Sequence, residues 1–422
     1  NSLSWTRSGL VEVRLGEGGA VILADEQGKT VPCQMAPGGL LRFVARDVPP
    51  LGAKRYSIQR GSGAASGRAV AEGNAVGNGR LRAVIGEATG AIASFTCQGI
   101  PGDLVDRQSG LGLNEYQYVA GRKPERPQRS GPAKLRVVAP GPMLATLEAE
   151  SPAPGCHTLV RQLTVVDGLD ELWITDRIVR SSVRTPDAVH LAFPFHVPGG
   201  VMRVDIPWAV IRPEQDQLPG ACRNYLSVGR WVDVSNDAYG VSCATLDAPL
   251  IEVGAIRMDV ANPFDPRAWV EKLEPSTLFY FYVMNNYWET NYKADQPGPA
   301  EFRYVLRPHG PFDQAAAIRF GIESSQPLWA VPVDASAPQV ASLFSVEPAE
   351  VLATSVKPSD DGNALMVRLW NAGTRPAQAR IGWHGFQPRR VARSSPAEEA
   401  GMLVEGPIDL PPLGILTLRA EQ

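Results

Sequence analysis

Long apolar runs are missing from this chain of 422 residues. The longest uninterrupted one, residues 278–284, falls far short of the ~20 residues that a membrane-spanning helix requires, so no membrane partner is expected. A surplus of one charge is missing as well, with 41 Lys and Arg against 44 Asp and Glu and a formal net charge of −3. A surface that tracks phosphates shows itself as a basic excess or as basic runs, and nucleic acid is therefore not an expected partner either. Cysteine is sparse and unpatterned. Cys33, Cys97, Cys156, Cys222 and Cys243 are odd in number and form no C-x-x-C pair, which argues against a disulfide framework or a zinc knuckle and for reduced thiols. There is no N-x-S/T sequon and no signal-like N-terminus, and together with reduced thiols this points to a cytoplasmic setting. The chain opens on Asn1 rather than Met, which reads as a trimmed or partial chain.

Helix formers in long runs are also absent, whereas Gly (41) and Pro (37) are abundant. Both residues interrupt the intrahelical hydrogen-bond ladder, so many short strands joined by turns are expected. Residues 10–15 show the period of a half-buried strand, with Val11, Val13 and Leu15 alternating with Glu12 and Arg14. The pattern recurs through residues 81–85, 143–150, 159–166, 171–179 and 189–195, punctuated by turn signals such as Asp167-Gly168 and Pro198-Gly199-Gly200. That is antiparallel all-β punctuation rather than βαβ alternation. Two breaks divide it: residues 61–67, made of Gly, Ser, Ala, and residues 327–332 between two prolines. The expected organisation is a small β-sandwich over 1–60, one large sandwich over 61–326 and a terminal β-sandwich over 327–422. A single helix is expected over residues 313–320, favoured by Ala315, Ala316 and Ala317, with Gly321 placed to end it.

Most short motifs fail on their chemistry. Gln27-Gly28-Lys29-Thr30 mimics the end of a phosphate-binding loop, but Leu23 stands where that loop needs a glycine, so a hairpin turn is the reading. Gly240-Val241-Ser242-Cys243-Ala244 resembles a nucleophile elbow, yet the following residues continue as an apolar strand instead of a helix. The histidines, His157, His190, His196, His309 and His384, form no H-x-H or H-E-x-x-H pattern. His190 and His196 on one strand would stand ~20 Å apart, too far to share a metal ion.

Two polar-aromatic clusters remain. One is Arg212, Glu214, Asp216 and Gln217, followed by Arg223, Asn224, Tyr225, Trp231, Asp233 and Asn236. The other is Asn285, Asn286, Tyr287, Trp288, Glu289, Thr290, Asn291 and Tyr292, which leaves directly from the apolar run. Hydroxyls are bound by planar amides and acids, while sugar C–H faces stack on Trp or Tyr, so the clusters fit a carbohydrate-recognition edge. They fit equally an ordered loop whose Asn side chains satisfy turns and whose Trp caps a core.

Around these clusters the sequence resembles the C-terminal β region of family-38 glycoside hydrolases, the α-mannosidases, in a bacterial-type branch. The likeness is carried by residues 1–5, 90–95, 189–195, VIRPEQDQLPGA at 210–221, RWVDVSNDAYGV at 230–241, 244–254 and VMNNYWETNYKADQPGPAEFRY at 283–304. Glu289 departs from the resemblance, which has His there in N-Y-W-x-T-N-Y. The resemblance implies a galactose-mutarotase-like supersandwich flanked by smaller β-sandwiches. It also implies that the zinc ligands, the Asp nucleophile and the acid belong to an N-terminal catalytic domain of the same parent protein, so this chain carries no catalytic residue, no metal ligand and no cofactor.

The expected function is thus the non-catalytic β part of an α-mannosidase-like hydrolase in mannose metabolism, giving support and part of the surface for a mannose-containing glycan. Asn285, Asn286, Tyr287, Trp288, Thr290, Asn291, Tyr292, Arg212, Glu214, Asp216 and Gln217 are the expected carbohydrate contacts. Self-association as a homo-oligomer is left open. Two alternatives stand beside it: a self-sufficient mutarotase, which needs a His acid and a Glu base within reach of one sugar, from His190, His196 or His309 with Glu214 or Glu252; and a stand-alone carbohydrate-binding module.

Overall fold

The structure, a computed structural model, describes every residue except 17–18, 62–64, 122–125, 258–268, 288–292, 335 and 338–341. Among the described residues its regular structure is almost entirely strand, with one α-helix, Gln314–Ser325, and one 3-10 turn, Arg107–Ser109. All sheet pairings among the named strands are antiparallel, as the turn punctuation requires. No described helix is long and apolar enough to cross a membrane.

The chain divides into two compact units, one of residues 1–66, 313–319 and 326–422, the other of residues 67–312 and 320–325. The first break falls inside the Gly/Ser/Ala stretch. The strands of the two chain ends, read from the sequence as separate sandwiches, belong to one unit but keep separate cores. Val11, Leu23, Leu41 and Phe43 fill the N-terminal core, while Phe344, Val367, Leu369 and Leu418 fill the C-terminal one.

The larger unit carries a nine-stranded and a six-stranded sheet together with a four-stranded one. The six-stranded sheet runs Gln128–Arg129, Glu115–Ala120, Asp187–Pro194, Leu278–Asn285, Leu250–Val253, Leu226–Ser227. Its inward residues meet those of the nine-stranded sheet in a buried aromatic cluster. Phe193 stacks on Phe279 at 5.6 Å, and Phe281 approaches Tyr304 of the strand Gly298–His309 at 4.6 Å between ring centroids. Each such ring contributes about 1.5–3 kcal/mol by leaving water, so this cluster accounts for why the two sheets pack face to face.

One ion pair is sealed in that core: Arg161 Nε lies 2.9 Å from Asp176 Oδ1, with both side chains buried. Asp176 also accepts from Asn114 Nδ2 at 2.8 Å, and Arg161 donates to the Gly90 carbonyl. Burial pushes the Asp176 carboxyl up, against the opposing pull of Arg161. Removing one partner of such a pair typically costs about 3–5 kcal/mol because it leaves a buried charge alone.

The helix differs from its sequence expectation. It starts at Gln314, with Asp313 Oδ1 accepting from Ala316 N, but it runs through Gly321 to Ser325 instead of stopping there. Gly321 serves packing, not termination: a Cβ at this position would lie 2.5 Å from Cδ1 of the fully buried Trp231.

Candidate functional site

Every second residue of the six-stranded sheet points away from the aromatic core, and on this face the sequence places polar groups. Register sets Gln117 opposite His190 and His190 opposite Tyr282; it sets Glu115 opposite Ala192, Ala192 opposite Tyr280, and Tyr280 opposite Glu252. His190 Nε2 lies 2.7 Å from Glu252 Oε2, with both side chains buried. The His190 ring stacks parallel on Tyr282 at 4.5 Å and meets Tyr280 edge-on at 6.5 Å. Glu252 Oε1 accepts the backbone N–H of Arg257 at 2.9 Å. Burial, then the Glu252 carboxylate, raises the Tyr280 phenol above its ordinary range.

Glu115, on the same face, accepts from Gln117 Nε2 at 2.9 Å and from the Gly112 N–H at 2.8 Å, and pairs with Arg129 at 2.8 Å. Arg129 is the solvent-facing member, with a side chain 44% exposed. Chemically the face holds an acid, a base and two phenols, the groups that proton transfer on a polyol needs. His190 and Glu252 were named from the sequence only as a conditional pair. Glu115, Gln117, Tyr280 and Tyr282 are not among the candidates named from the sequence, although the alternation Glu115, Gln117 within a strand of Tyr116, Tyr118 and Val119 is a signal for this face.

The two sequence clusters are largely consumed by their own loops. Arg212 grips Asp216 with Nε at 2.9 Å and Nη2 at 2.8 Å, and this hydrogen bonding holds the Asp216 carboxyl below its usual range. Glu214, at a positive φ of 69°, accepts from Arg223 Nε at 2.6 Å and from Leu273 N at 2.9 Å. Gln217 accepts from Glu214 N at 2.9 Å and donates to the Cys222 carbonyl at 3.0 Å. Asn224 accepts from Val270 N, and Asn236 caps its turn by accepting from Ala238 N and Tyr239 N.

In the second cluster Asn286 is a tether. Its Oδ1 accepts from Asp187 N at 2.5 Å and its Nδ2 donates to the Val183 and Thr185 carbonyls, both at 2.8 Å. Tyr287 is buried against Val119 and Ala188. Asn285, half-buried at the strand end, makes no side-chain hydrogen bond among the described residues and lines a cleft with Asn286, Asp187 and Asp295. That cleft measures about 10 Å³, room for a water but not for a sugar ring, and includes none of Arg212, Glu214, Asp216 or Gln217. Trp288, Glu289, Thr290, Asn291 and Tyr292 lie outside the described residues.

Ser242 of the elbow-like motif is buried and donates to Asp233 Oδ2 at 2.7 Å. Asp233 also accepts from Ser235 Oγ at 2.5 Å and lies 2.7 Å from His309 Nε2. Serine and histidine thus bond the same carboxylate rather than each other, which is not a nucleophile relay. Among the described residues no three His, Cys, Asp or Glu side chains converge to hold a metal ion.

No protein-family model matches the chain, and no curated protein matches it. Two solved structures are similar over the whole of it. One is an alpha-mannosidase from Enterococcus faecalis V583, with a TM-score of 0.75 at 13% identity, covering 100% of this chain and 55% of that one. The other is a protein in glycosyl hydrolase family 38 from Enterococcus faecalis, with a TM-score of 0.74 at 13% identity, covering 100% of this chain and 57% of that one. At this identity the likeness establishes the fold. The chain spans little more than half the length of either structure.

Proposed function

We propose that this chain is the non-catalytic β region of an α-mannosidase-like glycoside hydrolase, supporting a catalytic part outside the chain and contributing to the carbohydrate-binding surface. The observation that carries the reading is the end-to-end superposition on an alpha-mannosidase of which this fold is only about half. In such a parent, α-mannosides would be hydrolysed with retention through a covalent intermediate, the zinc, the Asp nucleophile and the acid coming from the other part. Here Asn285 is the contact we favour for a single hydroxyl, because its amide is not spent on the loop as that of Asn286 is, while the cleft beside it is too small for a sugar ring. Trp288, Thr290, Asn291 and Tyr292 remain proposed contacts; Arg212, Glu214, Asp216 and Gln217 act first as the struts of their own loop. A mannose-containing glycan and the catalytic domain are the proposed partners, and the cytoplasm the proposed setting.

The test is direct. The chain by itself should not hydrolyse an aryl α-mannoside, with or without added zinc, and zinc-dependent turnover would overturn the reading. A second reading, a mutarotase-like isomerase, is favoured by the 2.7 Å approach of His190 to Glu252. Against it, the two groups touch each other and are buried, leaving no room for a sugar between them. Polarimetry on fresh α-galactose separates the two readings: an accelerated rotation change that disappears in Glu252→Gln would replace the first by the second.

A further inference from the structure

A groove of about 920 Å³ crosses the smaller unit, lined by residues 4–6, by the strand Phe344–Glu347 with its continuation 348–350, and by the strand Ala377–Trp383. Its size falls in the range of small-ligand sites. None of the carbohydrate contacts proposed above lies in it, and only the choice of sugar in its test rests on that reading.

Its lining is polar and balanced in charge. Glu347 and Arg380 face each other in the antiparallel register, are exposed, and form no ion pair among the described residues. Glu350 likewise has no side-chain hydrogen bond among them, and Gln378, two residues from Arg380 on the same strand face, donates through Nε2 to Asp409 at 3.2 Å, leaving its carbonyl oxygen. Trp5 supplies an aromatic wall, with the Arg319 guanidinium 5.6 Å from its ring centroid. Two arginines thus stand against two glutamates, so the groove carries no net charge to attract a phosphate or another polyanion. Pro348 and Pro376 at the rims have no N–H to donate.

Planar acid, amide and guanidinium groups of both signs beside an indole match a ligand whose hydroxyls donate and accept together and whose C–H faces are apolar. We infer that this groove binds a neutral oligosaccharide through Glu347, Gln378, Arg380 and Trp5.

Calorimetric titration of the full 422-residue chain with α-linked mannotriose tests this, with inorganic phosphate and hexaproline as competitors. Mannotriose is expected to bind with a Kd on the order of 1 mM, as a shallow open site allows. Glu347→Ala and Arg380→Ala should each weaken it by about tenfold. Both altered side chains are exposed and make no ion pair or side-chain hydrogen bond among the described residues, so the fold should survive; near-ultraviolet dichroism checks this, and Gln378→Ala replaces either variant that fails. Absence of mannotriose binding, binding indifferent to these substitutions, or displacement by phosphate or hexaproline at a lower concentration than the sugar would each overturn the assignment.

Discussion

His309 shows how a single side chain acquires a function-like property from its neighbours. Its Nδ1 faces the Gly310 carbonyl at 2.8 Å and its Nε2 faces Asp233 Oδ2 at 2.7 Å, two acceptors that only the doubly protonated ring can satisfy. Burial alone would lower its pKa, but the hydrogen bond and charge of Asp233 prevail and raise it, with Arg307 opposing. The other groups around Asp233 are Ser235, Ser242 and, bonded to Ser235, Arg203. A histidine whose folded pKa stands above its unfolded value adds stability that is complete below about pH 6.5 and is lost as the pH rises through the folded value. Thermal melts of the larger unit should therefore fall from pH 6 towards pH 8, and His309→Gln should flatten that slope. Asp205, which burial pushes up to about 6, also favours low pH, but its loss is confined to the window between the ordinary aspartate range and pH 6, so the two are separable. A slope unchanged in the variant would refute the role assigned to His309.

At the scale of the element, the helix Gln314–Ser325 is shaped by what it packs against. Gly321 in a helix interior costs about 1 kcal/mol relative to Ala by propensity, so Gly321→Ala looks stabilising from the sequence. The structure reverses the sign. The added methyl would meet Trp231 Cδ1 at 2.5 Å and Arg230 Cβ at 3.0 Å, and Trp231 is fully buried and cannot retreat. Overpacking of this kind costs about 1–3 kcal/mol, so a net loss is expected; a chemical denaturation curve with a raised midpoint would contradict it. The alternation of the strand Glu115–Ala120 works in the opposite direction, because period 2 alone assigns Tyr116 and Tyr118 to the core and Glu115 and Gln117 to the outer face.

Across the whole molecule the two compact units have separate cores, the larger built on Phe193, Phe279, Phe281 and Tyr304. Calorimetry should resolve two transitions, and Phe193→Ala, costing about 3–5 kcal/mol, should shift only one of them. A single transition moving as a whole would show the units to be one cooperative body. The all-β class and the antiparallel punctuation follow from the local pattern of apolar, Gly and Pro residues, because strand period and turn chemistry are short-range properties. What the local pattern could not reach is which polar residues meet. Arg212 and Asp216 looked like sugar ligands until the loop closed one on the other, and the sequence offered His190 and Glu252 only as one conditional pairing among several until sheet register set Tyr280 between their strands and brought them to 2.7 Å. Those meetings join residues from different strands or across a turn, and their partners are chosen by pairing order and core packing, which no window of sequence contains.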